Sequence, residues 1–320
     1  MSGHSQIEVR VGEIETVARD IKRFRLEPAS GTTLPLFSAG SHVRVTMTDG
    51  AKSFCNPYSL MGSPTEGASY QISVLKTAMS RGGSHFMHDT LKLDSRLKIS
   101  HPVNLFPVDQ RGRKHILIAG GIGITPFISM AEQLSCAGRP FELHYVIRDR
   151  GRGAYASDLT AKYGPRVRIY CRSDDEQLPL SRLLDNQPLG THLYVCGPAS
   201  MIEGVLASAR AEGWPNENLH TEHFLAPPVG EPFKVRLEKS SLSVNVGERQ
   251  SILEAVEAAG VDAPYLCRGG ACGQCETNVL SADGEIVHND HYLTSEDRRL
   301  GKKIMICISR FKGNGLVVDL

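Results

Sequence analysis

Cys267-Arg-Gly-Gly-Ala-Cys272-Gly-Gln-Cys275, followed after 31 intervening residues by Cys307, decides how the last third of this chain folds. The spacing is that of the four thiolates of a plant-type [2Fe–2S] cluster. Arg268, Gly269, Gly270, Ala271, Gly273 and Gln274 make the small loop that lets backbone N–H groups approach the sulfurs. A four-cysteine zinc site is the main rival, since Cys272-x-x-Cys275 is also a zinc half-site, but such sites usually pair two half-sites. A thioredoxin-like redox pair leaves Cys267 and Cys307 unexplained. The spacing therefore predicts an electron-transfer protein.

With 320 residues the chain is long enough for two or three domains. Its 36 basic and 35 acidic residues leave a net charge of +1, with no long basic run, which argues against nucleic-acid binding. The N-terminus lacks the charged-then-apolar pattern of a secretory signal. The longest apolar stretch, Ile116–Ala131, is broken by Gly, Thr and Pro, so no membrane span is expected. Cys55, Cys136, Cys171 and Cys196 are scattered without disulfide-like spacing, as in a reducing, cytoplasmic compartment.

The first ~110 residues carry short β-like runs, Phe24–Leu26, His42–Met47, Tyr70–Leu75 and Leu97–Ser100, punctuated by Gly, Pro and Ser, with a helical stretch after Ser84. This predicts an antiparallel barrel or sandwich over 1–110. Over 111–225 apolar strands at Ile116–Ala119, Glu142–Ile147, Val167–Cys171 and Leu193–Cys196 alternate with helices near Pro126–Cys136 and Ala199–Glu212, the pattern of a parallel α/β domain. A Pro-rich connector over 226–232 marks a boundary. The remaining 233–320 reads as a small mixed β/α fold holding the cluster, with β-like runs at Val235–Leu237 and Leu242–Val246 and a helix at Ile252–Ala259.

Ile118-Ala-Gly-Gly-Ile-Gly-Ile-Thr-Pro-Phe127 leaves an apolar strand and enters a helix, with Thr125 expected at the N-cap and Pro126 at the first helical position. Gly120, Gly121 and Gly123 permit close approach of a dinucleotide pyrophosphate, or serve only a tight turn. The run is not a full G-x-G-x-x-G, since Phe127 stands where the third Gly falls. Tyr194-Val-Cys196-Gly197-Pro198 is a second strand end of the kind that binds ligands in open α/β sheets; Cys196 either faces a nicotinamide or is a buried thiol. In the first domain, Asn56-Pro-Tyr58-Ser59-Leu60 offers an aromatic ring and a hydroxyl. Arg81-Gly82-Gly83-Ser84 offers a guanidinium and a hydroxyl at a helix start, either a phosphate site or a Gly turn capped by Ser84. Of the twelve histidines, His288-x-x-His291 reads as solvated loop residues rather than ligands.

In this order, Tyr58–Leu60, Arg81–Ser84, Ala119–Pro126, Cys196–Pro198 and Cys267 to Cys307, the motifs resemble those of the phthalate dioxygenase reductase family, the reductases of Rieske-type oxygenases, over essentially the whole chain. The resemblance implies a multidomain α+β and α/β protein: an antiparallel flavin-binding β-barrel, a parallel α/β NAD(H) domain and a C-terminal plant-type ferredoxin domain of β-grasp fold. It implies FMN, NADH and a [2Fe–2S] cluster as cofactors, with Cys267, Cys272, Cys275 and Cys307 as metal ligands. The flavin pocket is expected from Asn56, Tyr58, Ser59, Leu60, Ile72 and Val74, with Arg81, Gly82, Gly83 and Ser84 on its phosphate. Gly121, Gly123, Thr125, Gly197 and Pro198 are expected to line the NADH site, and Asp174 to take the adenosine ribose hydroxyls. Ser59, Cys196 and Phe224, which matches an aromatic shielding the flavin, are the residues expected at the hydride-transfer centre.

Asn56 departs from the family's usual Arg, so a phosphate charge is lost there and more rests on Arg81. The implied activity is NADH-dependent reduction of flavin, then single-electron transfer through the cluster to a terminal Rieske-type oxygenase or demethylase. A heme or diiron monooxygenase as acceptor, or a non-catalytic electron carrier, are the alternatives.

Overall fold

The computed structural model describes residues 6–50, 52–78 and 80–320, which divide into two compact units, one ending at His223 and the other spanning Phe224–Leu320. Among the described residues no helix is long and apolar enough to cross a membrane.

The first unit begins with seven strands: β1 (Gln6–Ala18), β2 (Ile21–Pro28), β3 (Ser41–Asp49), β4 (Lys52–Ser59), β5 (Tyr70–Leu75), β6 (Arg96–Ser100) and β7 (Val103–Asn104). They pair antiparallel in the order β4-β3-β6-β1-β2-β5, with β7 also on β3. An antiparallel bridge from Met61, just past β4, to Gln71 on β5 joins the two edges and closes the sheet into a barrel. Alternation fills its interior: Val43, Val45 and Met47 from β3 meet Tyr70, Ile72 and Val74 from β5. The helical stretch expected after Ser84 is a short turn, α1 (Gly83–His85), running into a wide π-helical turn over Phe86–Thr90, whose Phe86 and Met87 plug the core.

Five strands follow, β8 (Lys114–Gly120), β9 (Phe141–Ile147), β10 (Val167–Cys171), β11 (Thr191–Cys196) and β12 (Leu219–Glu222), all parallel in the order β10-β9-β8-β11-β12. Helices α2 (Thr125–Cys136) and α3 (Ala156–Tyr163) cover one core, α4 (Leu180–Leu184) and α5 (Ala199–Ala211) the other. Burial on both faces is why β8 and β11 read as continuous apolar runs. The chain leaves β8 toward β9 and later returns on the other side as β11, so the topological switch point lies between β8 and β11. The barrel is fastened to this layer: Ser129 Oγ and Gln133 Oε1 of α2 accept from the backbone N–H groups of Gly40 (3.3 Å) and Ala39 (3.1 Å).

The second unit is a mixed sheet of β13 (Phe233–Leu237), β14 (Leu242–Val246), β15 (Glu276–Val287), β16 (Lys303–Met305) and β17 (Arg310–Val318), ordered β14-β13-β17-β15-β16. Only β13 and β17 run parallel, as in a β-grasp. Helix α6 (Ile252–Ala258) packs Ile252, Leu253 and Val256 on the sheet, and α7 (Ser295–Leu300) precedes β16. A capping box starts α6: Ser251 Oγ accepts from the Glu254 N–H (3.1 Å) and Glu254 Oε2 accepts from the Ser251 N–H (2.8 Å). Ser251→Ala is expected to cost this unit about 1 kcal/mol, read as an earlier thermal transition of the cluster-loaded protein, with unchanged visible absorbance before the transition.

Candidate functional site

The Tyr58 strand end and the Arg81–Ser84 turn, far apart in sequence, pack directly on each other. Asn56 Nδ2 donates to the Tyr58 hydroxyl (3.3 Å), and a Cβ added to Gly83 would lie 2.2 Å from that same Nδ2. Gly82 has φ +128°, and a side chain there would enter the Phe54 ring at 2.5 Å. The turn thus forms a narrow cradle that only bare backbone can line, with Arg81 half-buried at its start. Ser84 is not the helix cap the sequence predicts: Gly82 takes that place, and Ser84 Oγ instead accepts from the Thr77 N–H at 3.5 Å. Leu60, Ile72 and Val74, expected in the flavin pocket, have their side chains in the barrel core, so only their backbone is left for a ligand. Burial pushes the Tyr58 hydroxyl up to about 12, keeping it protonated and a hydrogen-bond donor.

The two nucleotide motifs meet at the switch point. Gly123 is seated so closely on the end of β11 that a Cβ would stand 2.3 Å from the Cys196 carbonyl oxygen, and Gly197 lies against Gly120. Any side chain at 123 forces the strand and the turn apart. Gly121 to Ile124 form a 3-10 turn, so Thr125 begins α2 and Pro126 follows it, one position later than expected; Thr125 Oγ1 donates back to the Ile122 carbonyl (3.1 Å).

Cys196 is fully buried, and β-sheet register places it between Ala119 of β8 and Glu222 of β12. Glu222 was not singled out by sequence. Burial raises its carboxyl to about 8, and the Ser59 hydroxyl beside it offsets part of that rise. The hydroxyl and carboxyl are neighbours without an aligned hydrogen bond: Ser59 Oγ and Glu222 Oε2 are both buried without a partner. Two buried polar atoms left without a partner are what a polar ring system such as a flavin can satisfy. Burial also pushes the Cys196 thiol well above its ordinary value, so Cys196 and Glu222 are both uncharged at neutral pH. The structure therefore gathers Ser59 and Cys196, with Glu222 added. Phe224, half-exposed, is the first residue of the second unit.

Asp174 lies in a turn just past β10, where its carboxylate accepts from Arg150 Nε (2.8 Å) and Ser173 Oγ (3.0 Å). The Arg150 guanidinium holds its carboxyl below the ordinary value. A ligand hydroxyl here meets a carboxylate that is oriented and ionised.

In the second unit the four cysteines converge as two pairs, Cys267 with Cys272 and Cys275 with Cys307, and both members of the second pair feel the charge of Cys267. No group of three or more Cys, His, Asp and Glu among the described residues closes on one ion. Two and two is the arrangement that a cluster of two irons, each with two protein thiolates, requires. The Cys272 thiol and the backbone N–H groups of Gly269, Ala271 and Cys272 draw Cys267 down to about 5; the Gly269 N–H sits 3.3 Å from its sulfur. Arg268, at φ +54°, is held by an ion pair to Glu257 and by the Tyr265 ring 4.1 Å away. His288 is not solvated: its side chain is largely buried, with Nδ1 3.6 Å from Asp290.

Because Glu222 titrates near 8 when folded and near 4.5 when unfolded, its contribution to stability is complete below about 4.5 and is lost as pH rises toward 8. Melting temperature is expected to fall across that window more steeply in the unaltered protein than in Glu222→Gln, which has no proton to lose.

Comparison with known proteins agrees with this geometry. A family profile described as "Dimethylamine monooxygenase subunit DmmA-like, N-terminal domain" matches residues 97–219, and one described as "2Fe-2S iron-sulfur cluster binding domain" matches 235–312. The heme-dependent oxidative N-demethylase beta subunit of Ectopseudomonas mendocina is 42% identical over 98% of this chain and 99% of its own. The carnitine monooxygenase reductase subunit of Escherichia coli is 40% identical over the full length of both. The solved structure of phthalate dioxygenase reductase superposes with a TM-score of 0.89 at 34% identity, covering 99% of this chain and 98% of that one. With its closed barrel, its parallel sheet and its thiol-bearing β-grasp in that order, the chain belongs to the phthalate dioxygenase reductase family, the flavin and [2Fe–2S] reductase components of multicomponent oxygenases.

Proposed function

We propose that this chain takes hydride from NADH at FMN held over Ser59, Cys196 and Glu222, and delivers the electrons singly to the terminal component of a Rieske-type oxygenase or demethylase. The observation that carries the reading is the pairing of four thiols, two and two, on the chain that also holds the Ser59–Glu222–Cys196 pocket. When bound, the flavin receives two electrons together and the cluster passes them on one at a time.

The chain's own residues supply placement and electrostatics. Cys196 and Glu222 are both uncharged, so no fixed negative charge opposes arrival of hydride, and Cys196 is closed to water. No side chain need remove or supply a proton for the hydride itself. Gly121, Gly123, Thr125, Gly197 and Pro198 line the nucleotide side, and Asp174 accepts from the ribose hydroxyls. The functional division follows as an FMN domain over 1–110, an NAD(H) domain over 111–225 and a ferredoxin domain over 233–320. Asn56 carries no charge; it props Tyr58 against Gly83, leaving Arg81 as the cation for the FMN phosphate.

A second reading has one observation of its own: the relative named as a heme-dependent N-demethylase subunit favours a heme-containing acceptor. Anaerobic stopped-flow absorbance with NADH is expected to show flavin bleaching, then cluster bleaching, with acid releasing FMN. Rapid mixing of the reduced protein with a purified Rieske oxygenase and, separately, with a heme oxygenase assigns the acceptor by which one is reduced. Absence of cluster bleaching overturns the proposed route. Arg81→Ala is expected to weaken FMN binding about 10- to 100-fold, the loss of one charge-assisted contact. Asp174→Ala is expected to lower the preference for NADH over NADPH about tenfold, read from kcat/KM for each.

A further inference from the structure

Leu225 to Pro232 has the composition of a free linker, with prolines at 227, 228 and 232. It is instead a strap laid on the ferredoxin fold. Leu225 packs against that core, the Ala226 carbonyl accepts from Asn289 Nδ2 (3.2 Å), Pro227 is buried, and the Gly230 N–H donates to the Glu248 carbonyl (3.1 Å).

Its clasp is Arg310, three residues past Cys307 at the start of β17 and only 3% exposed. Arg310 Nη2 donates to the carbonyls of Gly230 (3.2 Å) and Glu231 (2.9 Å). Its Nη1 donates to those of Gly247 (3.1 Å) and Gln250 (2.6 Å), and the guanidinium lies 5.1 Å from the Phe233 ring centroid. Withdrawing a guanidinium from water is costly, and it persists only where acceptors are fixed around it. Two of these four acceptors belong to the strap. The other anchor, Asn289, is tied to the same region: its N–H donates to Ser309 Oγ (3.2 Å), and the neighbouring His291 N–H donates to the Gly270 carbonyl of the cluster loop (3.0 Å).

We propose that Arg310 is a positioning residue for electron transfer: it binds the strap to the fold that carries the cluster, so that the tether joining the two units is the short joint at His223–Phe224. This rests on the proposed route from flavin to cluster within one chain. Effective concentration falls roughly as the −3/2 power of tether length, so freeing the eight-residue strap, which lengthens the tether from about two residues to about ten, lowers it about tenfold.

The test is anaerobic stopped-flow absorbance of the holoprotein with NADH, in which flavin and cluster bleaching are separate phases. In Arg310→Met the flavin phase is expected to keep its rate and the cluster phase to slow about tenfold. Amide hydrogens over 224–233 are expected to lose protection from exchange in the same variant, and Arg310→Lys to recover part of both. Inserting Gly-Ser-Gly between His223 and Phe224 leaves the strap and Arg310 intact and is expected to slow the cluster phase about fourfold. That insertion decides the matter if Arg310→Met cannot keep its cluster. An unchanged cluster phase in the insertion variant, or in a cluster-loaded Arg310→Met whose strap exchanges freely, overturns the proposal. Flavin bleaching without any cluster phase in the unaltered protein overturns the route itself, and the strap's role with it.

Discussion

The seat of Gly123 on the Cys196 carbonyl is the contact on which the first unit's chemistry depends. Cys196 ends β11, the strand between β8 and β12, so its position is fixed from one side by the turn entering α2 and from the other by Glu222. Ser59, from the barrel, completes the pocket at Glu222. A displacement of a few tenths of an ångström in the turn therefore reaches the nucleotide motif, the strand-end thiol and the barrel hydroxyl together. Close-packed interiors transmit such shifts rather than absorb them.

The proposed flavin site and the cysteine cluster follow different electrostatic rules. Around Ser59, burial keeps Tyr58, Cys196 and Glu222 protonated and the surroundings neutral. At Cys267, the Cys272 thiol and the backbone N–H groups of Gly269, Ala271 and Cys272 favour the thiolate. Neutral surroundings suit the hydride uptake proposed for the first, while a cluster held by anionic sulfurs needs donors close by, which suits the second.

Much of this was legible in the residues, and what was not has physical reasons. The cluster cysteines and the apolar strands β8 to β11 follow local spacing and periodicity, so one sequence suffices to find them. Strand β12 escaped because Leu219-His-Thr-Glu222 has no apolar run, being half-buried throughout. The whole of β15 escaped likewise, since most of its twelve residues face solvent and two register shifts break any alternation. Glu222 owes its importance to Ser59, remote in sequence, and no spacing rule connects them. His192 and His220, whose ring nitrogens stand 2.9 Å apart, are likewise neighbours only because β11 and β12 pair. The Arg310 strap shows the converse, a Pro-rich stretch whose composition reads as loose chain and whose carbonyls are taken up by a distant guanidinium.

Strand β15 carries one more consequence. It pairs with β17 along Val279–Val287, whereas its other neighbour, β16, covers only Glu276–Asn278, so among the described residues of its unit the outer rim of most of β15 has no strand beside it. Such rims invite intermolecular sheet extension and aggregation. Here the rim is interrupted by Asp283, Gly284 and Glu285 and bent by the irregularities at Val279/Ser281 and Asp283/Gly284. Like charges and a kinked backbone oppose the stacking of two such edges, which guards the chain against self-association through its own sheet.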